Sequence, residues 1–132
     1  MKILLAGCGD IGQRVATNLD SSYQCFGLRR SPFLFSDRIT PIVADLADQQ
    51  QLVNVFKGKI DIVVATLTPS SRSEDAYHKA YVETSKALST VINQAAYQPT
   101  LVIWVSSTSV FGEHSSGWVD EHSPPLPTTL PS

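Results

Sequence analysis

The chain has 132 residues, 42% of them hydrophobic, with 10 basic and 12 acidic side chains and a net charge of -2. That length allows one core and one domain. The near-neutral balance gives no general attraction for nucleic acid or an anionic membrane, and no apolar run reaches membrane-spanning length, so any anion must be held by a local site.

In chain order, the first predicted element is a strand over residues 3–6, followed by the loop "GCGDIG" and a helix whose Ile11, Val15, Ala16 and Leu19 share one face. Strands follow at 23–28 and 42–44. Leu52, Val53 and Phe56 mark a short helix after Asp48, and a fourth strand covers 60–67. The longest helix is predicted over 73–96, from the helical recurrence of Ala76, Ala80, Thr84, Leu88, Val91 and Ala95. Ser71 with Glu74 reads as a capping box at its start, and Pro99 prevents its continuation. A fifth strand covers 101–105. The strands are nearly continuous apolar runs, which suits a parallel sheet covered on both faces.

The glycine loop makes a specific demand. Gly7 would turn the chain out of the first strand, Gly9 would let a pyrophosphate approach the backbone, and Gly12 would let the helix pack on the strand. The helix start, including Asp10 and Ile11, aims free N–H groups at such an anion. This motif between a first strand and a first helix points to a dinucleotide site. The expected fold is therefore α/β: a Rossmann-like doubly wound parallel sheet of about five strands, order 3-2-1-4-5, with helices on both faces.

Ribose chemistry selects the dinucleotide. Arg29 lies 22 positions after Gly7 and Arg30 follows it, where NAD binding would want a carboxylate. Two guanidinium groups there suit a 2'-phosphate, so NADP is favoured over NAD, the alternative being that the arginines are solvated surface charges. Asp45, with Leu46 after the third strand, either hydrogen-bonds an adenine amino group or caps the next helix. Thr66, Leu67 and Thr68 follow the fourth strand, beside the expected ribose and pyrophosphate. The Ser-rich turn after the fifth strand places hydroxyls where a substrate oxygen could be polarised, or merely satisfies turn amides.

Taken together, the glycine motif, the Asp-Leu after the third strand, the long helix with Tyr81 and the turn "SSTSVFG" resemble the extended short-chain dehydrogenase/reductase superfamily, the NAD(P)-dependent epimerases and dehydratases. The resemblance implies that Ser107 matches the catalytic Ser/Thr and that Thr108 and Ser109 face substrate. It implies an oxidoreductase acting by hydride transfer on a nucleotide sugar or similar hydroxyl or carbonyl compound, a small-molecule partner, and a homodimer as the oligomer to look for. The chain departs from the family pattern in three places. Its glycines are spaced G-x-G-x-x-G rather than G-x-x-G-x-x-G, and Phe111 replaces the usual Tyr of the turn. The Tyr-x-x-x-Lys pair is absent, because by family spacing its Tyr falls at or just past Ser132, and Tyr77 with Lys79 lacks that spacing.

Residues 1–112 are accordingly read as the NAD(P)-binding domain. Residues 113–132 hold four of the eight prolines and no apolar periodicity, which reads as a Pro-rich loop leading to a further C-terminal part. The 132 residues alone are expected to bind cofactor without turnover; the alternative is a non-catalytic NADP-binding sensor or regulatory module. A hydroxyacid or imino-group dehydrogenase fits the opening strand and loop but not the Ser-rich turn. Cys8 and Cys25 without a signal-like leader suggest a reducing, cytoplasmic setting, and neither cysteine is assigned a role. Glu113, His114, Asp120, Glu121 and His122 crowd one loop without metal-ligand spacing, so no metal is expected there.

Overall fold

A computed structural model describes residues 1–112 and 116–126. Five strands form one sheet in the order β3-β2-β1-β4-β5: β1 (Lys2–Ala6), β2 (Gln24–Arg29), β3 (Ile39–Val43), β4 (Ile62–Ala65) and β5 (Leu101–Trp104). Every pairing is parallel, as the apolar runs required. The predicted order is the observed one.

The central strands are dry. Leu4, Leu5, Ala6, Val63 and Ala65 are fully buried, because successive side chains of β1 and β4 enter cores on opposite faces. On one face Leu4, Leu28 and Val63 pack with Leu52 of α2 (Gln49–Val55) and with Leu88 and Val91 of α4 (Thr84–Gln94). On the other, Ile3, Leu5 and Val64 pack with Ala16 of α1 (Asp10–Asn18). One face thus has two helices and the other has one.

Element ends differ from the sequence reading where tertiary pairing decides them. The third strand starts earlier, at Ile39, and includes Pro41. Pro41 lacks an N–H to donate, which is tolerated because β3 is an edge strand. The long helix is continuous but not uniform: α3 (Glu74–Tyr77) passes through a π-helical segment, His78–Glu83, into α4. The expected Ser71 and Glu74 capping box is replaced by a cap from Ser73, whose hydroxyl accepts from Ala76 N at 3.3 Å. Ser71 instead bonds Ser73.

After β5 a 3-10 turn, Thr108–Phe111, leads to Gly112. Leu126 N donates to Val110 O at 2.9 Å, so the described part of the Pro-rich stretch returns to this turn. Glu113 and His114 of the acidic loop lie outside the described residues. Asp120, Glu121 and His122 come together on the surface, where the Asp120 carboxylate accepts from His122 N and the Ser123 hydroxyl. Among the described residues no helix is long and apolar enough to cross a membrane.

Candidate functional site: a cleft at the carboxyl ends of the strands

The ends of β1, β2, β3 and β4 open into a cleft of about 330 Å³, within the size range of small-molecule sites. Its floor is the glycine loop. Gly7 has a φ of +78°, and both Gly7 N and Cys8 N donate to Leu28 O, at 3.1 and 3.0 Å, which ties the loop to the end of β2. Gly9 is the N-cap of α1, and among the described residues no side chain caps that helix. The first-turn N–H groups therefore have no intrahelical acceptor and no capping oxygen. A Cβ on Gly9 would meet only the Gly7 carbonyl, at 3.8 Å, so a side chain there would occupy open space above the loop.

The remaining glycine serves packing. Gly12 is buried, and a Cβ there would lie 3.0 Å from Cys8 Sγ and 3.6 Å from Leu5 Cβ. It lies behind the cleft wall rather than in it. The side chains of Asp10 and Ile11 are exposed on α1, Asp10 pairing with Arg14 at 2.9 Å, so only their backbone can face an anion.

The walls hold most of the other residues singled out in the sequence. Arg29, Arg30, Asp45, Leu46, Thr66, Leu67 and Thr68 line the cleft with Gly7 and Gly9. The Arg29 guanidinium sits 4.3 Å above the Phe33 ring, a cation–π contact that holds it at the rim. Arg30 is exposed beside it. Thr66 is buried, and its hydroxyl is spent on the Gly7 carbonyl at 3.0 Å.

Of the two readings of Asp45, helix capping fails. Asp48 caps α2, accepting from Gln50 N and Gln51 N, whereas Asp45 Oδ1 accepts from Ala47 N and its other oxygen faces Lys79. Four further lining residues, Ala76, Lys79, Ala80 and Thr84, come from the long helical stretch, and sequence reasoning assigned none of them to the site. The helical recurrence marks a face of this stretch but not a site, and Lys79, which is exposed, lies outside that recurrence.

A second hollow, of about 320 Å³, lies on the other side of the same helical stretch. Tyr77, His78, Tyr81 and Val82 form one wall and Trp104, Ser106, Ser107, Ser109 and Val110 the other. Thr108 is exposed but does not line it. Ser107 Oγ is 2.7 Å from Ser109 Oγ and accepts from Ser109 N at 3.2 Å. These hydroxyls therefore satisfy their turn and border a hollow at once. Cys8 is no nucleophile: burial pushes its thiol from 9.0 up to about 11, against an opposing pull from the Arg29 charge.

No protein-family model and no curated protein matches the sequence. Solved structures do. A protein from Methylobacillus flagellatus described as an NAD-dependent epimerase/dehydratase matches with a TM-score of 0.75 and 30% identity, over 98% of this chain and 45% of that one. This chain resembles the N-terminal portion of such an epimerase/dehydratase. The fold also matches a protein from Burkholderia cenocepacia described as an epimerase (TM-score 0.81, 20% identity, 97% and 44% of the two chains). A third match is UDP-glucuronic acid 4-epimerase from Bacillus cereus, solved in complex with NAD (TM-score 0.75, 23% identity, 98% and 47%). The chain thus spans less than half the length of these structures, and its Rossmann-like sheet is theirs.

Proposed function

We propose that the chain is the cofactor-binding portion of an epimerase/dehydratase-like oxidoreductase and that it holds NADP(H) in the cleft above the glycine loop. The observation that carries this reading is the uncapped start of α1 at Gly9, opening into a cleft flanked by Arg29 and Arg30. A diphosphate supplies the acceptor oxygens that those N–H groups lack, with the helix dipole adding about 0.3–1 kcal/mol per charge. Arg29 and Arg30 suit the 2'-phosphate that distinguishes NADP from NAD. Asp45, which lines the cleft and does not cap α2, takes the role of acceptor for the adenine amino group in this reading.

When bound, the nicotinamide exchanges hydride with the substrate. Ser107 lies at the carboxyl edge of the sheet, where its hydroxyl serves to polarise a substrate carbonyl or hydroxyl, and Thr108 and Ser109 flank it. The substrate class that goes with this arrangement is a nucleotide sugar or a similar hydroxyl or carbonyl compound. With no Tyr-x-x-x-Lys in its sequence, the 132-residue chain binds cofactor without turnover.

Fluorescence titration with NADPH tests the reading. Saturable binding by the unaltered chain, lost in Gly9→Val while the far-UV circular dichroism is unchanged, supports it. Absence of saturable binding by the unaltered chain, or equal binding by Gly9→Val, defeats it.

A further inference from the structure

The π-helical segment His78–Glu83 has a consequence for the cleft. Thr84 Oγ1 donates to the Lys79 carbonyl, five residues back, at 3.1 Å. In a regular α-helix residues five apart point about 140° away from one another, since each residue turns by about 100°. The wider π turn brings Lys79 and Thr84 onto one face, and both line the cleft. Such insertions are rare and recur at functional sites.

Lys79 extends from this segment towards the opposite wall, where its Nζ lies 3.7 Å from Asp45 Oδ2. The pair is half in solvent, with side-chain exposures of 50% and 29%, so it adds little to the fold. Its position is what distinguishes it. A carboxylate acceptor and an ammonium donor stand side by side on the rim of the cleft, joined to no other described ion pair.

We infer that Asp45 and Lys79 together read the base of the dinucleotide, Lys79 being a specificity residue that no sequence motif marks. Adenine presents an amino donor next to a ring-nitrogen acceptor. The carboxylate matches the first and the ammonium the second, the same logic by which paired side-chain donors and acceptors recognise adenine edges in nucleic acids. Hypoxanthine presents the reverse, a carbonyl acceptor next to a ring N–H donor. It would set carbonyl oxygen against carboxylate and N–H against ammonium. The inference rests on the cofactor reading above and adds a base preference to it.

The test compares NADPH with its hypoxanthine analogue on the unaltered chain and on Lys79→Met, with circular dichroism melting as a folding control. Because both cofactors are titrated against the same protein, the preference ratio is independent of any general loss of active material. The unaltered chain is expected to favour the adenine cofactor about 10-fold, the discrimination typical of one paired contact, and Lys79→Met to reduce the ratio to about 2-fold or less. Lys79→Arg, which keeps a donor, should retain most of it. A preference unchanged in Lys79→Met, or absent from the unaltered chain while NADPH still binds, overturns the base-reading role alone. Failure of the unaltered chain to bind either dinucleotide overturns the cofactor reading, and this inference with it.

Discussion

Thr66 and Gly7 are locked together where β1 and β4 end: the Thr66 hydroxyl donates to the Gly7 carbonyl at 3.0 Å, and a Cβ on Gly7 would lie 2.8 Å from the Thr66 carbonyl oxygen. The contact fixes the glycine loop against the neighbouring strand and leaves no room for a side chain. Gly7 also needs its positive φ of +78°, which costs an L-residue about 1–2 kcal/mol before any clash. Gly7→Ala is therefore expected to lower stability by about 2 kcal/mol or more in urea unfolding. Gly9→Ala, with open space around its Cβ, should cost much less. Equal midpoints for the two variants would contradict this account of the loop.

Arg29 and Arg30 are expected to act on the phosphorylated cofactor alone. Replacing both with Ala should weaken NADPH about 10- to 100-fold, as loss of charge-assisted hydrogen bonds does, and leave NADH within about 3-fold. Parallel fluorescence titrations decide it. Equal weakening of both cofactors would place the arginines elsewhere than on the 2'-phosphate.

Asp61 ties the starts of β1 and β4 together. Its Oδ2 accepts from Lys2 N at 2.8 Å, and Lys59 Nζ lies 3.2 Å from its other oxygen. The Lys2 hydrogen bond first, and Lys59 second, hold the carboxyl below its ordinary value of 3.8. A carboxyl whose pKa is lowered by folding stabilises the protein above its unfolded value, and that contribution is lost as pH falls through the folded value. Asp61→Ala should be less stable than the unaltered chain at neutral pH, with the gap narrowing below about pH 4. Urea midpoints across this range measure it; a gap of constant size would show that ionisation of Asp61 is irrelevant.

Cys8 makes the opposite prediction at alkaline pH. Its thiol is raised by burial from 9.0 to about 11, so between those values the folded state retains a proton that the unfolded state has lost. Stability is nearly untouched below pH 9 and declines as pH rises towards 11 and beyond, by ~3 kcal/mol at most. Cys8→Ala should decline less steeply over the same interval. The native thiol should also react with an aromatic disulfide reagent at pH 8 at least ~100-fold more slowly than in urea. Rapid modification of the native chain would show that the thiol is not held in the core.

Much of the fold was legible because its signals are local. A strand covered on both faces reads as a short apolar run, as at 3–6, and a βα turn that must admit an anion needs glycine, as at Gly7 and Gly9. These signals also sufficed for strand order, since β-α-β alternation leaves few topologies open. The helix caps were less legible: several Ser and Asp side chains stand near each helix start, and Ser73 and Asp48 were selected over Ser71 and Asp45 by which hydroxyl or carboxylate meets an unpaired N–H.

What only the tertiary structure decided are the relations between distant residues. Sequence alone established the α/β alternation, the glycine loop and the arginines that follow the second strand, each through a demand that a few neighbouring residues must meet. It could not show Phe33 beneath the Arg29 guanidinium, Leu126 folding back on Val110, or Lys79 facing Asp45 across the cleft. The last depends on a change in helical pitch at His78–Glu83, a segment with no fully buried residue and so no apolar pattern that fixes its pitch. Periodicity records that a helix has an inward face; packing against the sheet determines which of its polar side chains reaches the site.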